Sequence, residues 1–238
     1  MASLLYADHY DINDHISVRI PKLGDIIDDE DNFQSMVCTI IATPLDMMVQ
    51  LDDAGIDFTK INDFELFCLL FRQLQELDTS LLFGDLDFKE FKTAVNQQNN
   101  NFILLNEATG TVIDRAIHAK ICKFLRKMLC IPREDKKPGN EEARKYMIDR
   151  ARKKQARLKK KQQESQLEPL VVALVNTEQF KYNYETIRDI SIYQFYASLN
   201  QVSHKINYDN TMAGYYAGNV RLDDLSKEDR VWIKYDKL

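Results

Sequence analysis

Glycine and proline are scarce in this chain, at seven and five among 238 residues. A β-sandwich needs a turn signal roughly every 8–12 residues, and this supply does not meet it. Histidine is scarcer still, and none of His9, His15, His118 and His204 lies in a catalytic motif. No G-x-S-x-G, G-x-x-x-x-G-K or G-x-G-x-x-G occurs, so a serine nucleophile elbow and the common phosphate-cradling loops are excluded. No apolar run exceeds six residues, Leu170 to Val175 being one. A membrane-spanning helix needs about 20. The N-terminus has no basic segment ahead of an apolar stretch, and Asp8 follows almost at once, so no secretory leader is expected. The four cysteines, Cys38, Cys68, Cys122 and Cys130, include no C-x-x-C pair, and each sits in an apolar, helix-like segment. They are expected to be reduced, buried core residues of a cytosolic protein.

What is present is an ordinary globular balance, 45% hydrophobic and 29% charged, which excludes disorder over the whole length. The net charge of −5 is a poor summary of the chain. Residues 1–63 carry thirteen acids and three bases, a balance of −10. Residues 133–161 carry thirteen bases and five acids, a balance of +8. An acidic front and a basic middle are therefore hidden in the total.

Periodicity and punctuation divide the rest. The alternation His15 to Ile20 reads as a strand, and Gly24 with the acidic run Asp28 to Asp31 as a loop. Phe33, Met36, Val37, Ile40 and Ile41 recur at helical spacing, with Asp31 or Asn32 as the cap. Thr43-Pro-Leu-Asp46 and Asn62-Asp-Phe-Glu65 are capping boxes, the first helix ending at Gly55. The second carries the apolar face Phe64, Phe67, Cys68, Phe71 and Leu74. Phe88 to Val95 and Phe102 to Leu105 read as paired strands around the polar turn 97–101. Thr111 to Asp114 reads as another box, opening a helix that buries Ile113, Ala116, Ile117, Ile121, Phe124, Leu125 and Met128 and ends before Pro132.

Asn140 caps a helix that is polar nearly all round, to about Gln166. Short helices are expected over Leu170–Val175, from Ser191, over Tyr208–Ala217, and from Ser226, the last bearing Trp232 and Ile233. The fold class is mainly α (α+β): a helical protein with a small antiparallel β element and a long basic helix joining two halves. Three parts are expected: an acidic α+β domain over 1–132, a basic helix or linker over 133–166, and a helical subdomain over 167–238.

Few residues invite a chemical role. His118 and Cys122 stand at i and i+4, which can present two ligands to one metal ion, but two are half a zinc site. A packed core helix is the stronger reading. The run Asp28–Asp31 lacks the spacing of a calcium loop, so no metal site, cofactor or catalytic residue is assigned. Gly214 and Gly218 form G-x-x-x-G, explained in a non-membrane chain by close packing and a helix cap. The basic helix admits three readings: a solvated bridge, a surface that docks on acidic protein (this chain's own front included), or a nucleic-acid contact. Its one aromatic residue, Tyr146, makes base stacking a poor fit. The candidate contacts are Arg150, Lys153, Lys154, Arg157 and Lys160 on that helix. Tyr215, Tyr216 and Trp232 are candidate anchors, with a C-terminal core as their plainer role.

Several stretches together resemble a family of tail-region proteins encoded by long-tailed phages and prophages of Gram-positive bacteria. They are Ile20-Pro-Lys-Leu-Gly-Asp-Ile26; Ala42 to Asp57 with Asp63-Phe-Glu-Leu-Phe67; Leu174-Val-Asn176 with Phe180-Lys-Tyr-Asn-Tyr184; and Ile192-Tyr-Gln-Phe195 leading to Gly214-Tyr-Tyr-Ala-Gly218 and Trp232-Ile233. These are packing and turn residues, spread over most of the chain. The resemblance implies a non-enzymatic tail assembly chaperone that shields the tape measure protein, a long amphipathic helix, until the tail tube encloses it. It implies the tape measure protein, and also the major tail protein, as partners, with self-association open. The implied location is the bacterial host cytoplasm or the virion. A permanent virion structural or connector protein, and a nucleic-acid-binding protein acting through the basic helix, are the alternatives.

Overall fold

The computed structural model describes residues 3–96, 101–158 and 165–234. It is 53% helical, with small antiparallel sheets of two and three strands, an α+β architecture. Two compact units are present: residues 1–21 with 28–164, and residues 22–27 with 165–238. The sequence-based division at 132 and 166 differs from this one in grouping the basic helix separately from the first unit and residues 22–27 with the front.

The first unit opens with a hairpin of β1 (His9–Asn13) and β2 (Ile16–Arg19). Only the second strand alternates clearly enough to be expected from sequence. Helix α2 (Glu30–Ile41) buries Phe33, Met36, Val37, Ile40 and Ile41, the face its spacing indicates. Its N-cap position is Asp29, two or three residues earlier than expected, and no side chain caps it. The Thr43 box forms, with the Thr43 amide and hydroxyl donating to Asp46 at 2.9 and 2.7 Å. It closes a turn, and α3 begins only at Met48 and runs to Asp53. Gly55 follows at φ +72°, the left-handed conformation that ends a helix.

Helix α4 (Asp63–Gln75) has both halves of its capping box, Asn62 Oδ1 accepting from Phe64 and Glu65 amides and Glu65 accepting from the Asn62 amide. A short helix α5 (Ser80–Phe83) follows. The sheet is then built in the order β3 (Phe91–Val95), β4 (Phe102–Asn106), β5 (Thr111–Ile113). Residues 111–113, expected as a capping box, are this third strand. Asp114 is the cap of α6 (Arg115–Met128), its carboxylate accepting from the Ile117 amide at 2.8 Å. On α6, Ala116 is exposed, and His118 takes a buried place instead. The core of this unit is a run of phenylalanine rings, Phe64, Phe67, Phe71, Phe88, Phe83 and Phe91, with centroids 4.8–6.3 Å apart along the chain of contacts. Such rings supply large buried areas.

Helix α7 (Glu141–Leu158) is the basic helix, capped by Asn140 through the Ala143 amide at 2.8 Å. It packs on α3 within the first unit. Ile148 is buried with Leu51, Phe58 and Leu66. The helix therefore does not stand free in solvent along its whole girth.

In the second unit, α8 (Leu167–Val175) buries Leu167, Val171 and Leu174. Ser191 and Gln194 complete a capping box for α9, which runs unbroken over Ile192–Tyr216. Sequence suggested two helices here; the polar run around Ser203–Lys205 interrupts nothing. Gly218 closes α9 at φ +75°, and Gly214 lies where a Cβ would meet Val220 at 3.0 Å. The Ser226 box is a turn with no helix behind it. A six-residue helix from the front of the chain, α1 (Leu23–Asp28), completes this unit where a loop was expected. Leu23 and Ile26 are fully buried. The Leu23 amide donates to the Ile190 carbonyl at 2.9 Å, and Lys22 pairs with Asp189 at 3.4 Å.

Candidate functional site

Helix α4 is apolar on three sides, and each side does something different. Phe64, Phe67, Phe71 and Leu74 enter the main core. Leu66 and Leu70 join the smaller core beneath α7. The third side, Glu65, Cys68 and Leu69, is turned to an open groove of about 420 Å³. Ile56 and Ile61 form its floor with Cys68, and Phe102 and Thr93 of the hairpin form a wall.

The hairpin explains why the groove is apolar. Phe91, Thr93 and Val95 lie opposite Asn106, Leu104 and Phe102 in register, so all six share one face of the sheet. Phe91 and Leu104 are buried in the core. The same face continues past the core, where Val95 and Phe102 are 48% and 52% exposed, and Leu69 on α4 is 57% exposed. Asp57, Lys60 and Glu65 supply charge at this groove. Asp57 is held below the usual carboxylate range by the Thr59 amide and hydroxyl, with smaller help from Arg144 and Lys60. Burial, with Glu65 adding, pushes the Cys68 thiol up to about 11, so it is protonated at neutral pH. This arrangement suits binding of an apolar stripe on a partner.

The groove residues Leu69 and Phe102, and Val95 opposite Phe102 in the sheet, were not singled out from sequence. The available signal was parity: Phe102 shares its strand face with Leu104, and only packing shows that the face outruns the core.

The basic residues of α7 fall on two faces, and neither Arg152 nor Arg144 was a candidate from sequence. Arg152 reaches back to α3 and meets Asp53 at 2.6 Å and Asp52 at 2.7 Å. Arg144 pairs with Glu141 at 2.6 Å and stands 3.8 Å from Asp57. Of the three readings of the helix, docking on the chain's own acidic front describes this inner face. Arg150, Lys153, Lys154 and Arg157 are exposed on the helix. Lys160 lies outside the described residues, as does most of the polar turn 97–101.

The aromatic candidates are in the second unit, on the surface and not in a C-terminal core. Tyr215, Tyr216 and Trp232 are 37%, 81% and 50% exposed. The Tyr215 and Tyr216 rings touch at 5.4 Å. The segment around Trp232 is tied down by its backbone: Gln201 donates to the Trp232 carbonyl at 2.9 Å, and His204 Nε2 to the Val231 carbonyl at 2.7 Å. Val231 and Ile233, at 39% and 38% exposed, extend this apolar surface.

His118 and Cys122 converge on one acceptor, the Ile40 carbonyl, at 3.0 and 3.3 Å. The imidazole is buried and stacks on Phe67 at 4.3 Å between centroids. Burial lowers its pKa to about 4 and raises that of Cys122 to about 12. Neutral imidazole and thiol acting as satisfied core groups account for both residues. No disulfide joins the four cysteines, and Cys38 is exposed, contrary to its expected place in the core; it sits on the outer side of α2. No group of three or more histidine, cysteine or carboxylate side chains that could hold a metal ion occurs among the described residues. Among them, too, no helix is long and apolar enough to cross a membrane.

Residues 159–234 match the model of the YomV second domain, a prophage-derived family of Bacillus. Over that stretch the chain is similar to a phage-associated domain. No curated protein and no solved structure matches the chain.

Proposed function

We propose that this protein is a non-enzymatic assembly factor of a phage tail, a chaperone that binds and shields the tape measure protein during tail morphogenesis. The observation that carries the reading is the sheet face that runs out of the core into an open groove, on a chain similar to a phage-associated domain. The resemblance of Ile20–Ile26, Ala42–Asp57 and the C-terminal stretches to tail assembly chaperones supports the narrower assignment.

The physics is that of a helix laid in a groove. A tape measure helix carries an apolar stripe at i, i+3, i+4 and i+7 that must be covered until the tube closes round it. Leu69, Val95 and Phe102 are each about half exposed. Finishing their burial is worth roughly 1 kcal/mol apiece. Together that is on the order of a hundredfold in affinity. No covalent step is needed, so the role asks for no nucleophile or cofactor.

The test is co-expression with the tape measure protein of the same genome, followed by affinity capture. The full chain should retain the tape measure protein. Phe102→Glu and Leu69→Glu should each weaken capture at least tenfold while leaving the circular dichroism unchanged. Capture unaffected by both, or no capture by the full chain, refutes the reading. The major tail protein is assayed in the same capture, and self-association by light scattering of the chain alone.

A further inference from the structure

We infer that the outward face of α7 is a second docking surface, and that it takes an acidic helical segment of a partner protein. The inference is independent of what occupies the groove.

Helix α7 has two faces. Along the inner face lie Arg144, Met147, Ile148, Ala151 and Gln155, buried or half-buried, with Arg152 at its edge. Along the outer face Tyr146, Arg150, Lys153 and Arg157 recur at i, i+4, i+7 and i+11, one straight stripe of a helix, with Lys154 beside it. All five are exposed. Arg150, Lys153, Lys154 and Arg157 make no ion pair with another described residue. Two carboxylates, Glu142 and Asp149, share the face with these four cations.

Like charges three or four residues apart repel and weaken a helix. The described structure does not offset that repulsion on the outer face, though it does so on the inner face. There Arg152 is met by two adjacent carboxylates at the end of a helix, Asp52 and Asp53 of α3, at 2.7 and 2.6 Å. The inner face thus displays the chemistry that complements the outer one: carboxylates carried on a helix. Arg150 to Arg157 spans about 10 Å. A partner helix with Glu or Asp at i, i+4 and i+7 matches that length and spacing.

Nucleic acid fits less well. Asp52 and Asp53 keep 39% and 58% of their side-chain surface in solvent beside α7, and would lie against the phosphates of a duplex. Tyr146 is the one ring on the helix for a base to stack on. A single acidic helix, about 10 Å wide, covers the outer stripe without reaching α3.

The test uses the full chain and three fluorescent probes. The first is a 20-residue Ala-rich helical peptide with Glu at i, i+4, i+7 and i+11. The second is the same composition with the Glu residues spread round the helix. The third is a 20-base-pair DNA duplex. Anisotropy at low salt should show the striped peptide binding at least fivefold tighter than the scattered one. Binding should weaken as salt rises. The triple variant Arg150→Gln, Lys153→Gln, Arg157→Gln should lose at least tenfold with its circular dichroism unchanged. Arg150→Glu, Lys153→Glu, Arg157→Glu should in turn bind a Lys-striped peptide. Equal binding of the two Glu peptides, no binding of either, or no loss in the Gln variant overturns the proposal. Tighter binding of the duplex than of the striped peptide, lost in the same variant, overturns it in favour of nucleic acid.

Discussion

Replacing Ile148 with alanine should release α7 from the first unit while leaving the phenylalanine core intact. Ile148 is the one residue of α7 that is fully buried, packed against Leu51, Phe58 and Leu66. Isoleucine-to-alanine changes in cores cost about 2–5 kcal/mol. Here the surrounding Ala42, Met47, Met48 and Ile61 are only partly buried and can close some of the space, so the lower end, about 2–3 kcal/mol, is expected. The ion pairs cannot take over. Arg152, Asp52 and Asp53 are each more than a third exposed, and such pairs are worth about 0.2–1 kcal/mol apiece. An isolated helix of 18 residues is marginal in water. Hydrogen–deuterium exchange of peptides covering 141–158 is the assay. In Ile148→Ala those amides should exchange roughly 30- to 150-fold faster, with α4 and α6 amides unchanged. Arg152→Ala removes both pairs and should speed the same amides less, by about 2- to 30-fold. Equal effects of the two substitutions, or unchanged exchange in Ile148→Ala, would show that α7 is held by charge or by its own propensity.

Three further outcomes follow from the packing. A fragment of residues 165–238 lacks Leu23 and Ile26, each worth about 2 kcal/mol of burial, and should melt without cooperativity; joining residues 22–27 to it through a flexible linker should restore a sigmoidal melt by circular dichroism, and a cooperative melt of the bare fragment would contradict the packing. His118 has a folded pKa near 4 against 6.5 unfolded, so the unfolded chain binds more protons between these values. Its contribution is complete above pH 6.5 and is lost as pH falls toward 4, at up to about 1.4 kcal/mol per pH unit; urea titrations should show His118→Gln with a flatter profile in that window, and an equally steep one refutes the assignment. Cys38, exposed on α2, should alkylate first with a maleimide, and Cys122 only on unfolding; early labelling of Cys122 by peptide mass mapping would mean that the Ile40 site opens readily.

Helices whose apolar residues repeat at the helical period were legible in the sequence. Phe33 to Ile41 and Phe64 to Leu74 bury the faces their spacing indicates, and the Asn62 and Ser191 boxes form. Elements that depend on a distant partner were not legible. His9–Asn13 is too polar to read as a strand and becomes one by pairing with Ile16–Arg19. Leu23–Asp28 looks like part of a loop leading into the acidic run, and its Leu23 and Ile26 gain a core only from a segment some 165 residues on. Capping boxes misled where no apolar face followed them. Thr111 caps nothing because Thr111–Ile113 is held by β4, and Ser226 closes a turn. Segment charge pointed to the basic helix, but Arg152 finds its carboxylates a hundred residues upstream, which charge counting along the chain does not reveal.

The most direct test of the chaperone reading is quantitative mass spectrometry on two samples from one phage lysate, tape-measure complexes captured before tail completion and purified mature particles. The account predicts this protein in stoichiometric amounts with the captured tape measure protein and at trace level in the particles. Stoichiometric amounts in the mature particles would contradict it and make the protein a permanent structural component.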